Sequence, residues 1–440
     1  MKILRHSLSD EQIDILKWIH LYRGITTRQL LAAKRPLEFP PHLLDPKVSE
    51  PKEKSIRKLI GLLVKKGLVA EKVVPKGRAN YAYLTEEGLE LISIILEISP
   101  GKIGTGYSGD HGDFDYELYS PPSTKISHHL ILVNFFLMLE HLKAKYYELK
   151  IDYRDNRYVS ERYVLPDLDK SSKHGTKKIM PDGEIRLNDQ FYPVEIDMGT
   201  ERYKELVEKF EKYAEYFDFL QEHGRPLPEG IIFISGVADL ASQFRRRWDT
   251  VIAAFFQGMD RWAAHVNLIG GTLNCVERII TEKSRDFTTF GQMLMNILGY
   301  YTKTDGNYKG TAYRVEIPIP KLFTATLSIT QIGANHQVYV YEPVSGFETK
   351  GLARVRSFKS WLSKTKIPEF QAVSEVIPVF YHLNGQPMTF NFKKFDEKAQ
   401  AEWEGLFSLT YWLNVEGPVW TDIDGESVAF SNPLLSRVSS

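Results

Sequence analysis

Apolar positions in the N-terminal part of the chain fall at helical spacing in three runs, then alternate along a hairpin, then return to helical spacing. Ser9 and Gln12 frame a capping box, in which hydroxyl and amide side chains satisfy each other's end of the first helical turn. Ile13, Leu16 and Ile19 mark the buried face of the helix that follows, and Gly24 ends it. Thr26 and Gln29 repeat the device for a short second helix to about Ala33, and a Pro-rich insertion spans 36–51. A third helix is predicted over 52–66, burying Ile56, Leu59, Ile60 and Leu63 and leaving Lys54, Ser55, Arg57 and Lys58 to solvent near its start. Residues 68–74 and 79–84 read as a β-hairpin with the basic tip Pro75-Lys76-Gly77-Arg78, and Thr85 caps a fourth helix to about Ile98.

Residues 99–124 are rich in Gly, Pro, Ser and Asp without periodicity and read as a linker or an ordered bridging loop. Helical spacing returns over 126–145. His128, His129 and His141 lie on or near that helix and, lacking acidic partners at ligand spacing, read as ordinary surface or core histidines. A strand is expected near 146–153, then a basic loop over 170–178. Two short alternating runs on either side of Asn188-Asp189 read as strand, turn, strand. Tyr203, Leu206, Val207, Phe210 and Tyr213 then predict a helix over 201–222, and the apolar run 231–234 predicts another strand. A helix over 240–257 carries Arg245, Arg246 and Arg247, a local cationic patch; a strand near 266–269 and helices to about 298 extend this region. Beyond Gly306 the pattern turns to β alternation over 313–319, 326–332 and 337–341, mixed with helix near 358–363 and 396–406. This reads as a separate α+β domain, which holds four of the seven tryptophans and no recognised motif.

At 440 residues the chain exceeds one ordinary core, and several domains are expected. No apolar run reaches the ~18 to 20 residues that span a bilayer, and no signal-peptide core precedes Asp10, so a cytoplasmic protein without membrane partners is expected. The single cysteine, Cys275, excludes an internal disulfide framework and a Cys-rich zinc site. Net charge is zero, which argues against indiscriminate coating of nucleic acid. Its distribution is uneven: residues 1–90 hold 17 Lys plus Arg against 11 Asp plus Glu, as local DNA binding by one module would require.

Acidic residues recur at unusual spacing between Pro181 and Tyr213. Glu195 and Asp197 sit two apart on a strand and so share a face, with Val194 and Ile196 on the other. Two carboxylates so placed repel each other unless the strand end is solvated or a cation lies between them. Pro181-Asp182, then Glu195-x-Asp197-x-Gly199-Thr200, then Lys209 and Tyr213, resembles the signature of the replication-relaxation family of bacterial plasmids and mobile elements. That family in turn is similar to the PD-(D/E)xK nucleases. Asp182 and Glu195 match the first two positions of the nuclease pattern, but Asp197 stands where a Lys is expected, and Lys209 would have to supply a migrated ammonium. Residues 9–98, with Lys65-Lys66-Gly67-Leu68-Val69 before the hairpin and Tyr83-Leu84-Thr85-Glu86-Glu87-Gly88 after it, resemble the winged helix-turn-helix family.

The fold class expected is α/β multidomain: an N-terminal winged helix over 1–98, a linker over 99–124, a central restriction-endonuclease-like α/β domain over 125–306 and a C-terminal α+β domain over 307–440. The winged helix implies contacts to double-stranded DNA from Arg28, Lys54, Ser55, Arg57, Lys58, Lys76 and Arg78. Homodimerisation, or partnership with other replication or transfer proteins, is a further expectation. The nuclease resemblance implies Mg²⁺ or Mn²⁺ on Asp182, Glu195 and Asp197, with Lys209 beside the nucleophile. Two classes of function stand side by side: a DNA-binding protein acting in replication or its control, and a metal-dependent endonuclease or nickase. A transcriptional repressor is a third, weaker reading.

Overall fold

The computed structural model describes residues 2–3, 6–38, 46–75, 79–121, 125–159, 179–236, 241–284, 292–298, 311–317, 323–332, 335–344, 346–365, 373–382, 392–417, 419–422 and 426–427. It is mixed α/β and divides into two compact units, the first made of 1–198 with 234–236, the second of 199–233 with 237–440. Among the described residues no helix is long and apolar enough to cross a membrane.

The first unit opens with a short ladder of β1 (Lys2–Ile3) and β2 (His6–Ser7), followed by α1 (Asp10–Tyr22), β3 (Ile25–Thr26), α2 (Thr27–Lys34), α3 (Pro46–Lys65), β4 (Val69–Val73), β5 (Asn80–Leu84) and α4 (Glu86–Ile95). Both expected capping boxes form, Ser9 with Gln12 and Thr26 with Gln29. Strands pair in the order β3-β5-β4, and Ile15, Leu16, Ile19, Leu30, Ile60, Leu63 and Leu84 form the core against them. Helix α3 begins at Pro46, six residues before the predicted start, so the last six residues of the predicted Pro-rich insertion are helical and Pro51 lies inside α3, while 39–45 lie outside the described residues. A proline in the first turn lacks only an amide that has no helical partner, which is why Pro46 starts a helix rather than forbidding one. Gly88 explains the tight seat of α4, since a Cβ there would lie 2.0 Å from the Leu68 carbonyl oxygen.

The unit continues through the short α5 (Tyr116–Tyr119), α6 (Ile126–Lys145), β6 (Ile151–Asp155), α7 (Asn156–Val159), β7 (Gly183–Leu187) and β8 (Gln190–Asp197). The expected strand over 146–153 falls instead at Ile151–Asp155: Leu149 N–H donates to the Tyr146 carbonyl in a turn, and the Tyr147 ring is 95% exposed. Strands β6, β7 and β8 form an antiparallel meander. Asn188 and Asp189 both take positive φ, 48° and 67°, the backbone a two-residue hairpin needs and one that these residue types tolerate. Gly236, after the last strand residues of this unit, donates its N–H to the Asp197 carbonyl at 2.7 Å.

Residues 99–121 are threaded into this unit by side-chain bonds. Asp113 accepts from Gly101 N–H at 2.8 Å, Asp110 pairs with Lys102 at 2.7 Å, and the Tyr119 hydroxyl donates to the Ile19 carbonyl at 3.0 Å. The helices before residue 98 are bonded directly to the sheet region as well. Tyr22 and Tyr153 hydroxyls meet at 2.9 Å, Gln29 donates to the Leu130 carbonyl and Asn134 at 2.8 Å each, and buried His129 contacts the Tyr22 carbonyl at 2.8 Å.

The second unit holds α8 (Tyr203–Glu222), most of β9 (Gly230–Ser235), α9 (Ala241–Met259), β10 (Asn267–Gly271), α10 (Leu273–Ser284) and α11 (292–298). It ends with β11 (Thr311–Ile317), β12 (Phe323–Ile332), β13 (Asn335–Pro343), β14 (Phe347–Glu348), α12 (Lys350–Lys364), β15 (Val373–His382), α13 (Glu397–Phe407), β16 (Tyr411–Asn414) and β17 (Val419–Thr421). Helices α8 and α9 pack closely at Gly258, where a Cβ would lie 2.7 Å from Phe210 Cβ. A six-stranded mixed sheet runs β11-β12-β13-β15-β16-β17, with Tyr339, Ile377, Val379 and Leu413 buried against α11. Helix α12 is longer than the segment expected near 358–363 because its N-terminus is capped from β10: Asn267 Oδ1 accepts from the amides of Thr349 at 3.2 Å and Lys350 at 3.1 Å.

Candidate functional site

Asp182 immediately precedes β7, and its amide donates to the Val194 carbonyl of β8 at 2.9 Å. Its carboxylate turns back on the same strand, where Oδ2 accepts the Ile196 amide at 2.8 Å. The same oxygen lies 3.2 Å from His128 Nε2 on α6. Burial opposes charge on this imidazole, but the hydrogen bond and attraction from Asp182, with a further contribution from Glu195, outweigh it and raise the His128 pKa. Asp182 and Glu195 therefore both favour the protonated form of one imidazole, a side chain of this protein.

Glu195 and Asp197 are 5% and 2% exposed, so the end of β8 is not the solvated edge that two same-face carboxylates would favour. Val194 and Ile196 on its other face are buried too. Among the described residues no group of three or more His, Cys, Asp or Glu side chains is arranged to hold a metal ion. Of the expected metal-facing oxygens, Asp182 Oδ2 is engaged by an amide and an imidazole. Lys209, the expected migrated ammonium, is bonded within the second unit to Glu201 at 2.8 Å.

A second cluster involves the expected DNA-contacting residues. Arg28 on α2 and Lys54, Ser55, Arg57 and Lys58 on α3 are all exposed. Glu53, buried on α3, holds both arginines: its carboxylate accepts from Arg28 Nε at 3.2 Å and from Arg57 Nη2 at 2.8 Å. Lys76 and Arg78 lie outside the described residues, as does the basic loop over 170–178. Of the cationic triplet on α9, Arg246 is exposed and Arg247 donates to the Glu201 carbonyl at 2.7 Å, while the Arg245 side chain is outside the described residues.

Two of these participants are not singled out by the sequence. His128 lies far from Asp182 along the chain, and no spacing signals their meeting. Glu53 carries a weak signal, because it stands four residues before Arg57 at helical pairing distance.

The second unit has a polar cavity of about 310 Å³, lined in part by Glu229, Lys283, Glu342, Glu348, Lys350 and Arg354. Its charges are paired: Lys283 with Glu348 at 2.7 Å, Lys350 with Glu229 at 2.6 Å and Arg354 with Glu342 at 3.5 Å. Burial pushes the Glu342 carboxyl up to about 7, only partly offset by Arg354.

Comparison with known proteins places residues 16–226 within the replication-relaxation family model. That match is just under half of the chain and takes in both clusters, the paired arginines and the His128–Asp182 contact, while the residues that line the cavity, from Glu229 onward, lie outside it. No curated protein and no solved structure matches the chain.

Proposed function

We propose that this chain is a DNA-binding protein acting in the replication, or the control of replication, of a plasmid or mobile element. The observation that carries the reading is the replication-relaxation match over 16–226, which covers the basic face of α2 and α3. The order α1, β3, α2, α3, β4, β5 supports a winged helix, with α3 as the element entering the major groove and the β4–β5 hairpin as the wing. Exposed Lys54, Ser55, Arg57 and Lys58 on one helix supply the electrostatic and hydrogen-bonding contacts such docking needs.

The region around Asp182 and Glu195 is then a nuclease-like frame used for structure rather than cleavage. His128, whose protonated form the neighbouring carboxylates favour, takes the place beside Asp182 that a metal would take in a nuclease, and Asp182 fixes β8 through the Ile196 amide. The test is a titration of the full chain with duplex DNA at several salt concentrations, beside incubation with supercoiled plasmid and Mg²⁺ or Mn²⁺. Salt-dependent binding with no nicking is expected. Absence of binding at low salt overturns the DNA-binding reading, and metal-dependent nicking lost in Glu195→Gln overturns the non-catalytic one.

A further inference from the structure

Arg28 and Arg57 come from different helices, yet one carboxylate fastens both. Glu53 is 6% exposed, while the two guanidinium groups it holds are at the surface. A guanidinium has five N–H donors in a fixed plane, and a single carboxylate satisfies only part of that set. Among the described residues Arg28 has one bonded partner, Glu53, reached through Nε. Its two terminal nitrogens, Nη1 and Nη2, are not used by that bond and so keep a paired donor edge on a half-exposed side chain. That edge matches the two acceptors, O6 and N7, that guanine presents in the major groove.

Resting on the DNA-binding reading above, we propose that Arg28 reads a guanine edge in duplex DNA and that Glu53 is the positioning residue that aims it, with Arg57, Lys54 and Lys58 on flanking phosphates. Holding the guanidinium before binding removes part of the rotamer freedom an arginine otherwise loses on contact. The geometry also sets charge against orientation. Arg28, Glu53 and Arg57 together carry one net positive charge, and Glu53→Gln raises it to two. Electrostatics alone then predicts tighter binding to every sequence, with a salt slope steeper by about one unit. Positioning predicts that the preference for the chosen sequence falls at the same time.

The experiment selects duplexes from a random-sequence pool with the full-length chain, then measures affinity for a selected and a scrambled duplex across salt. Wild type, Glu53→Gln and Arg28→Lys are compared. Arg28→Lys is the decisive variant because the site is exposed and the charge is kept; its salt slope should match wild type while the selected-to-scrambled ratio falls by about 10- to 100-fold, the range for one bidentate base contact. Glu53→Gln should bind the scrambled duplex more tightly and lose discrimination in the same direction, with thermal melting confirming that it folds. An unchanged ratio in Arg28→Lys overturns the proposal, as does a Glu53→Gln protein that gains affinity equally for both duplexes. A wild type that binds DNA in a salt-dependent way but enriches no sequence also overturns it, while leaving the broader reading standing. No binding to any duplex overturns both.

Discussion

Asp155 is the buried charge on which the first unit depends, and Asp155→Asn tests that dependence. At 7% exposure its two oxygens each lie 2.9 Å from Arg157 Nε, one also accepts the Arg157 amide at 3.1 Å, and Arg23 Nη1 stands 3.7 Å away. The amide substitution keeps shape and one acceptor but removes the negative charge. Arg23 has other partners: the carbonyls of Leu118, Tyr119 and Ser120 at 2.8 to 3.1 Å and Asn156 Oδ1 at 3.1 Å. Arg157 has fewer: its guanidinium lies over the Phe114, Tyr119 and Tyr158 rings at 5.3 to 5.4 Å, but among the described residues its one other side-chain hydrogen bond is a 3.4 Å contact from Nη2 to the Leu21 carbonyl, and Nη1 has no hydrogen-bond partner. The loss therefore falls on Arg157, and stranding one buried charge costs about 3 to 5 kcal/mol. Hydrogen exchange of α1, α5 and β6 should accelerate by roughly two to four orders of magnitude, at about 1.4 kcal/mol per tenfold, with peptides of the second unit unchanged. An acceleration below about tenfold, or an equal one in the second unit, would refute the assignment of this ion cluster as the fastening of the first unit.

The two units should respond to pH in opposite directions. Burial lowers the His129 pKa to about 4, so the first unit loses up to about 3 kcal/mol as pH falls from 6.5 toward 4, because only the unfolded chain takes up the proton readily. Glu342, raised to about 7, keeps its proton in the folded second unit; that unit gains a similar amount as pH falls from 7 to 4.5, and Glu342→Gln should remove the slope. Urea midpoints of each unit, read by pulse labelling at one fixed pH, check both signs, and parallel slopes would contradict them. Gly258→Ala should destabilise the second unit by about 1 to 3 kcal/mol through its contact with Phe210, whereas Gly405→Ala, on α13 with open space around it, should stabilise by roughly 0.5 to 1 kcal/mol; thermal melts compare the two. Mn²⁺ should leave the melting of the wild type unchanged, whereas a true site at a hundredfold excess over its Kd would add about 2.7 kcal/mol, so a shift of that size would restore the metal reading.

Local chemistry was legible in the sequence where the signal is itself local. The capping boxes at Ser9 and Thr26, the Asn188-Asp189 turn and the helical stripe from Tyr203 to Tyr213 all lie within a few residues of the structure they specify. The start of α3 was hidden because Pro46 and Pro51 read as loop residues, although Pro46, in the first turn, is compatible with helix and Pro51, inside it, removes only one helical hydrogen bond. The carboxylates on β8 were found as residues but not as an environment. Alternation places Glu195 and Asp197 on one face, yet it cannot show that both faces are covered or that His128, on a distant helix, meets Asp182. Lys209 illustrates the converse: its residue type suits a migrated ammonium, while its bond to Glu201, before the start of α8, carries no signal in the spacing.

The bonds around residues 99–121 and Gln29 join the basic face of α2 and α3 to the sheet that carries Asp182. A Gly- and Asp-rich stretch of this kind ordinarily lets neighbouring domains move independently. Here Arg23, at the end of α1, is held by three consecutive carbonyls of that stretch, and Gln29 on α2 is bonded to α6, the helix that carries His128. Each bond is buried or partly buried, where an unpaired polar group costs about 1 to 3 kcal/mol, so separating the two parts would expose several such losses together. The α2 helix bearing Arg28 and the sheet bearing Asp182 accordingly belong to one compact unit. Substituting Gln29→Ala should loosen α2 from α6 and raise hydrogen exchange in both helices while leaving the charge of the basic face unchanged. If affinity for duplex DNA then falls without a change in salt slope, the frame serves to hold the reading surface; if affinity is unaffected, the two parts are joined for some other purpose than DNA recognition.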